Sequence, residues 1–142
     1  MSNADRLMEL LAPVFGGLEP LIDGAVIDRL IAVLGPLADD DFVCAMVAFD
    51  VAREFRGLEG VKTAWSDWLE AYSELVFRIE EVREVGENVL MIVTQVGVTR
   101  HDAVEVSQPS AAVWMFRGER LRRVEFHLDR RAAERSAQSA HE

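Results

Sequence analysis

The stretch that decides the fold is LVFRIEEVREVGENVLMIVTQVGVTRHDAVEVSQPSAAVWMFRGERLRRVEFHL, residues 75–128. It contains long segments rich in β-branched and aromatic residues, which is the composition of β-strands. These segments are about Leu75 to Val85, Val89 to Thr99, Val104 to Phe116 and Leu121 to Leu128. Because the turns between them are short, the stretch predicts a mostly antiparallel meander. Strands of this length twist and curl, so we expect the sheet to have a concave face.

Three helices are predicted around the start of this sheet, because apolar residues there recur at helical spacing. Ser2 and Asp5 form a capping pattern for the first helix, and Asp23 is placed to cap the second. Gly35-Pro36 is expected to end the second helix. The predicted apolar faces are Leu7, Leu10, Leu11 and Val14; Val26, Ile27, Leu30, Ile31 and Leu34; and Val61, Trp65, Trp68, Leu69 and Tyr72.

Between the second and third helices the chain contains a strongly apolar run, Phe42 to Phe49, that predicts a strand. We interpret Asp39-Asp40-Asp41 as the turn before it, and Asp50 as its end. A second strand is expected at about Val51 to Arg56. Helices followed by a meander predict an α+β fold, taken as one domain over 1–142. Within it, 1–22 is a helical extension. The short tail, 130–142, could form a polar helix over 130–135 and is expected to be frayed after Ser136.

Composition limits the classes of function. The chain has 142 residues and a formal net charge of −10, so its average field repels nucleic acid and anionic lipid. It has neither a long apolar run nor an export-signal pattern, which predicts a cytoplasmic protein without a membrane partner. Cys44 is the one cysteine, which excludes an intrachain disulfide and a cysteine-based metal cluster. Since its neighbours are apolar, we expect an inert buried thiol.

Several short motifs resemble SnoaL-like members of the nuclear-transport-factor-2-like superfamily. They are Phe55 to Val61, Glu105 to Pro109, Val113 to Gly118 and Phe126 to Arg130, and the resemblance covers about Asp23 to Ala133. It implies a cone-shaped fold with a pocket between the helices and a concave sheet. It also implies a homodimer formed through the outer face of the sheet. Members of this superfamily differ in activity, so the fold alone does not assign one.

The resemblance allows two catalytic patterns to be tested by residue. Limonene-type epoxide hydrolases have Arg-x-Asp on the strand that corresponds to Val89 to Thr99, and an Asp on the last strand. Those places hold Gln95, Gly97 and Phe126 here, which cannot activate water or protonate an epoxide. Ketosteroid isomerases have a base Asp near the place of Asp50, so this residue is the candidate acid or base. The alternative role for Asp50 is to form a turn.

The candidate ligand-binding residues follow from strand parity. If Gln95 points into the cone, its amide could bind a ligand carbonyl or hydroxyl; the alternative is pairing with Gln108 or a neighbouring strand. Gln108, Ser110 and Trp114 share one face of the next strand, so an inward Gln108 places all three inward. For Trp114, ordinary core packing is the alternative.

Alternate residues of the last strand are also expected to point to opposite faces of the sheet. Phe126 is expected to face the cone, whereas Glu125 and His127 face outward, where they are solvated or line a dimer contact. The third predicted helix places Trp65, Trp68 and Tyr72 at the pocket mouth. Core packing is again the alternative for at least one tryptophan of this helix.

The sequence therefore predicts a pocket for an apolar small molecule, with no cofactor and no metal. If the protein is an enzyme, the favoured hypothesis is a cofactor-free isomerase, dehydratase or cyclase that transfers a proton through Asp50. The alternative is a non-catalytic dimeric module whose cone is filled by its own side chains or by a passively held ligand.

Overall fold

The computed structural model describes residues 2–15, 21–48 and 51–139. The elements in chain order are α1 (Asn3–Phe15), α2 (Gly24–Leu34), β1 (Ala38–Ala48), β2 (Val51–Arg56), α3 (Gly57–Leu69), β3 (Tyr72–Val85), β4 (Asn88–Thr99), β5 (Glu105–Arg117), β6 (Arg120–His127) and α4 (Arg130–Ser139). This order confirms the predicted α+β fold. No helix in the described part of the chain is long and apolar enough to cross a membrane.

The strands form one six-stranded sheet in the order β2-β1-β6-β5-β4-β3. The run from β3 to β6 is the predicted antiparallel meander. The exception to antiparallel pairing is β1, which lies parallel to β6. Register shifts interrupt β3 against β4, β5 against β6, and β1 against β6. Such irregularities bend strands, and the sheet is curved, with α1 to α3 packed into its concave face.

The first strand begins earlier than predicted, because Asp39-Asp40-Asp41 belongs to β1 and is not a turn. Ala38 pairs with Leu121 of β6, and the Leu121 amide donates to the Leu37 carbonyl at 2.9 Å. The guanidinium of Arg120 donates to the Pro36 carbonyl at 3.1 Å. Asp39 to Asp41 lie at the register shift between Ala38 and Val43, so pairing with β6 on both sides of them keeps these residues of low strand propensity in β1.

The helix starts follow the predicted capping chemistry. The Asp5 amide donates to Ser2 Oγ at 3.1 Å, and the Val26 amide donates to Asp23 Oδ1 at 3.0 Å. The end of α3 differs from the prediction, because Tyr72 opens β3 instead of continuing the helix. There the Arg100 amide donates to the Ala71 carbonyl at 2.9 Å, which joins the chain after α3 to the end of β4.

Two apolar clusters cover the two faces of the sheet. The main core lies between α1 to α3 and the concave face, with Phe77, Met91 and Trp114 among its buried residues. On the outer face α4 packs Ala133 and Ala137 against a smaller cluster. The sheet residues of that cluster are Leu90, Ile92, Ala111, Val113 and Met115.

The C-terminal helix α4 extends further than the sequence predicted. Ala137 is fully buried, so the expectation of fraying beyond Ser136 is wrong as far as Ser139. The start of α4 is fixed because the Asp129 carboxylate accepts from the Arg131 amide at 3.0 Å. The Arg130 guanidinium also donates to the carbonyls of Val93 at 2.7 Å and Ser110 at 3.2 Å. Part of the outer face is therefore covered by the chain itself, and the homodimer through that face stays a prediction.

Candidate functional site

A small cavity lies between α1, α2, α3 and the concave face of the sheet, and is called the interior cavity below. Its volume is about 20 Å³, enough for about one water molecule. Its lining is entirely apolar and aromatic. The lining residues are Phe15, Ile22, Val26, Ile27, Leu30, Trp65, Phe77, Met91, Trp114 and Phe126. Three of the predicted ligand-binding residues, Trp65, Trp114 and Phe126, thus line one cavity.

Aromatic rings define one side of the interior cavity. The Phe126 ring lies 5.0 Å from the Trp65 ring and 6.1 Å from the Trp114 ring, centroid to centroid, both in edge-to-face geometry. The Trp65 ring also meets Phe77 edge to face at 6.3 Å. Edge-to-face pairs are favourable because the positive ring edge meets the negative ring face. Phe126 is half-buried, whereas Trp65 and Trp114 are buried.

The indole N–H groups of Trp65 and Trp114 are buried and have no acceptor among the described residues. A buried donor without a partner costs about 1–3 kcal/mol, because it has lost its hydrogen bonds to water. Both indoles belong to residues that line the interior cavity. The N–H groups themselves do not reach the surface of the cavity, which is apolar throughout, so a ligand acceptor would meet them only after lining side chains move.

Gln95 is part of a hydrogen-bonded chain and does not line the interior cavity. Its Oε1 accepts from the Trp68 indole N–H at 2.9 Å, and its Nε2 donates to Ser110 Oγ at 3.1 Å. Ser110 Oγ donates in turn to the Gln108 carbonyl at 3.2 Å. The Gln95 amide is thus satisfied by the protein, through Trp68 and Ser110 instead of the Gln108 amide.

Gln108 and Ser110 also lie apart from the interior cavity. The Gln108 amide donates to the Leu128 carbonyl at 3.3 Å and joins β5 to the end of β6. Ser110 is buried but belongs to the chain anchored on Gln95. The structure therefore does not bring these two residues together with Trp65, Trp114 and Phe126.

Tyr72 does not line the interior cavity, and its predicted place at the pocket mouth stays a prediction. It lines a cleft of about 230 Å³ with Leu69 and Arg100, called the surface cleft below. Its ring fills the space beside Gly97, where an added Cβ would lie 2.7 Å from Tyr72 Cδ1. The remaining candidate, Asp50, lies outside the described residues, so its role as acid or base stays a prediction.

Glu125 and His127 do not line the interior cavity, as parity predicted, but they are buried and not solvated. They are buried because α4 covers this part of the sheet, where Ser136 Oγ donates to Glu125. His127 Nε2 lies 2.8 Å from Glu125 Oε1, and Arg123 Nε donates to Glu125 Oε2 at 2.7 Å. Burial raises the pKa of Glu125, but hydrogen bonds from His127, Ser136 and Arg123 outweigh it and lower the pKa to about 2.

Two other features bear on possible chemistry, the thiol of Cys44 and groups of side chains that could bind a metal ion. Burial raises the pKa of Cys44 to about 12, so its thiol stays protonated and unreactive at neutral pH. Within the described ranges, no group of three or more His, Cys, Asp or Glu side chains is arranged to hold a metal ion.

The part of the site that sequence reasoning missed is the Trp68–Gln95 hydrogen bond, since no pattern in the sequence pairs residues 27 positions apart.

A curved sheet whose concave face is closed by helices around an apolar cavity defines a protein of the cystatin-like, nuclear-transport-factor-2-like fold. The family model described as "SnoaL-like domain" matches residues 21–124. This chain belongs to the SnoaL-like domain family, as the motifs predicted. None of the curated proteins matches its sequence.

Solved structures show the same fold at low sequence identity. A putative SnoaL-like polyketide cyclase from Jannaschia sp. CCS1 has a TM-score of 0.66 at 14% identity, over 96% of this chain and 92% of that chain. TerC, co-crystallised with polyporic acid, has a TM-score of 0.63 at 15% identity, over 94% and 98%. A putative isomerase from Bacillus subtilis has a TM-score of 0.60 at 14% identity, over 89% and 88%.

Proposed function

We propose that this domain binds a small, mainly apolar molecule that carries a hydrogen-bond acceptor, such as a carbonyl oxygen, in the interior cavity. The observation that carries the proposal is the pair of buried, unpartnered indole N–H groups on Trp65 and Trp114, two residues that line the apolar interior cavity. A ligand acceptor would remove the cost of at least one buried, unsatisfied donor. The aromatic lining favours a ligand with a planar ring.

Binding is favoured over proton transfer by the chemistry of the lining. The described residues around the interior cavity include no Asp, Glu, His, Lys, Cys or Tyr, so none of them can serve as a general acid or base. An isomerase, dehydratase or cyclase activity would need a group from elsewhere, and Asp50 remains the predicted one. The relatives described as a polyketide cyclase and an isomerase, and the one co-crystallised with polyporic acid, support a small organic ligand.

The small volume of the interior cavity means that a ligand can bind only if a side chain moves. About 20 Å³ is too small for an aromatic molecule, so the ligand must displace a lining side chain. Phe126 is the residue best placed to move, because it is half-buried and its ring contacts both indoles. We therefore expect binding to be accompanied by rotation of the Phe126 ring.

Two probes of similar shape test the proposal, acetophenone and ethylbenzene, because only the first carries an acceptor. The chain has three tryptophans, so three indole N–H signals can be followed by ¹H–¹⁵N NMR during titration. We expect acetophenone to bind about two- to tenfold more tightly than ethylbenzene, the net worth of one hydrogen bond. The Trp65 or Trp114 indole signal should move downfield, while Trp68, already bonded to Gln95, should move less.

Tryptophan-to-phenylalanine variants provide the matched controls. Trp65→Phe and Trp114→Phe each remove one indole N–H and keep an aromatic ring. We expect the variant that lacks the donor used by the ligand to lose the preference for acetophenone over ethylbenzene. Equal affinity of the native protein for the two probes, or the absence of any shift at Trp65 and Trp114, would contradict the proposal.

A further inference from the structure

The interior cavity is one of three spaces that follow each other towards the surface between α3 and the β1–β2 hairpin. Next to it lies a second cavity of about 20 Å³, called the second cavity below, which shares Phe126 with the interior cavity. Beyond this lies a groove of about 150 Å³, called the outer groove, which shares Met46, Ala48 and Trp68 with the second cavity. Two side chains, Phe126 and Trp68, thus stand at the two boundaries of this route.

Exposure changes gradually along this route. Most residues that line the interior cavity are buried, among them Val26, Ile27 and Leu30 on the α2 side. Two lining residues are half-buried, Phe15 on α1 and Phe126 on β6. On the α3 side the interior cavity approaches solvent through Phe126 and then through Met46 and Trp68, which are half-buried as well.

Trp68 is held in position by one side-chain hydrogen bond. Its indole N–H donates to Gln95 Oε1 at 2.9 Å, and Gln95 is itself held by Ser110. The acceptor is therefore fixed, and Trp68 is the partner that can move. Opening the boundary between the outer groove and the second cavity requires the loss of this one bond and a change of side-chain rotamer, without any change in backbone pairing.

The alternative route passes through the surface cleft, which shares Ile22 with the interior cavity. That boundary is fixed by the backbone. The Ile22 amide donates to the Leu75 carbonyl at 2.7 Å, and Leu21 forms a bridge with Val76 of β3. Because opening there would break backbone hydrogen bonds as well as side-chain packing, the α3 side is the easier entrance.

From this geometry we infer that Trp68 is the gate of the interior cavity, kept closed by Gln95, and that ligands enter from the outer groove past Trp68 and then Phe126. This inference rests on the proposed interior binding site, and assigns to Trp68 and Gln95 control of access instead of direct contact with the ligand. Gating residues of this kind change the rates of entry and release more than the equilibrium affinity.

The experiment compares Trp68→Phe, which removes the indole N–H and keeps a ring, with Leu69→Ala on the same helix. Leu69 lines the surface cleft, so its truncation widens that cleft while the backbone hydrogen bonds that separate it from the interior cavity stay in place. Acetophenone association and dissociation rates are measured by NMR line-shape analysis for both variants and the native protein. We expect Trp68→Phe to raise both rates about two- to tenfold, which is the equivalent of one ordinary hydrogen bond. The dissociation constant should change by a smaller factor than either rate. Leu69→Ala should leave the rates as in the native protein.

A second readout needs no ligand. Hydrogen–deuterium exchange of the buried Trp65 and Trp114 indole N–H groups reports how often the interior opens to water. We expect Trp68→Phe and Gln95→Leu to accelerate it, and Leu69→Ala not to do so. Urea unfolding midpoints check that each variant is folded and correct for general loss of stability.

The possible results distinguish a failure of the Trp68 gate from a failure of the interior binding site. If the native protein binds acetophenone but Trp68→Phe changes neither the ligand rates nor indole exchange, the gate is wrong and the site stands. If acetophenone does not bind, the proposed function fails and indole exchange alone decides the gate. Equal acceleration by Leu69→Ala would overturn the gate, because it would show general loosening or entry through the surface cleft.

Discussion

Replacing Phe126 by alanine should destabilise the protein and enlarge its binding site at the same time. Truncation of a fully buried phenylalanine costs about 3–5 kcal/mol, from lost contacts and the cavity left behind. Phe126 is half-buried, so we expect a loss of about 2–3 kcal/mol in the free energy of unfolding. Because this side chain separates the interior and second cavities, its removal joins the two spaces, of about 20 Å³ each, with the volume of the lost ring.

The assay is urea unfolding with and without acetophenone. Ligand that binds only the folded protein stabilises it by about 2.7 kcal/mol at a concentration of 100 times the dissociation constant. Saturating acetophenone should therefore restore most of the stability that Phe126→Ala loses, and the variant should bind the probe more tightly than the native protein.

Phe55→Ala is the matched control for this prediction. Phe55 is another half-buried phenylalanine that packs against the main core, but it lines the outer groove and not the interior cavity. It should lose a comparable amount of stability without gaining affinity. The reasoning would be refuted if Phe126→Ala lost less than about 1 kcal/mol, or if acetophenone stabilised the two variants equally.

Three further predictions concern the frame around the site. The folded-state pKa of Glu125 is lowered to about 2, so the ionised carboxylate stabilises the protein above the ordinary carboxyl pKa, and this stability is lost as pH falls from about 4.5 towards 2. Glu125→Gln should therefore make the free energy of unfolding depend less on pH in urea unfolding measured from pH 6 to pH 2.5. An unchanged pH dependence would contradict this prediction. Ala137→Asp places a charge against the outer cluster and should lower the free energy of unfolding by about 2–4 kcal/mol, while the control Gln138→Asp, on the exposed side of α4, should change it by less than about 0.5 kcal/mol. Gly97→Ala drives a methyl group into the Tyr72 ring and should cost about 1–3 kcal/mol, whereas Gly24→Ala, whose Cβ meets nothing within 4 Å, should not destabilise the protein; equal thermal midpoints for these two variants would refute the packing argument.

Much of the fold follows from local patterns in the sequence. The meander was predictable because each strand of β3 to β6 is long and rich in β-branched residues, and each turn is short. The caps at Ser2 and Asp23 were predictable because capping depends on residues three positions apart. Parity on β6 correctly separated Phe126 from Glu125 and His127, since alternation follows from strand geometry alone.

The errors concern contacts between residues far apart in sequence. Asp39 to Asp41 have poor strand propensity, and they lie in β1 between Ala38 and Val43, which both pair with β6. The polar tail gave no signal that two alanines would be buried, because their partners lie on β4 and β5. Gln95 pairs with the neighbouring strand through Ser110, which was the predicted alternative, but its bond to Trp68 depends on where α3 crosses the sheet. No local pattern contains that information.

The most direct test of the interior binding site is a crystal structure of the protein soaked with 4-bromoacetophenone, with the bromine located by anomalous scattering. We expect one bromine position within the space lined by α2, β4 and β5, a rotated Phe126 ring, and the carbonyl oxygen about 3 Å from the indole nitrogen of Trp65 or Trp114. Bromine found only in the surface cleft beside Tyr72 and Arg100, with Phe126 unmoved, would contradict the account.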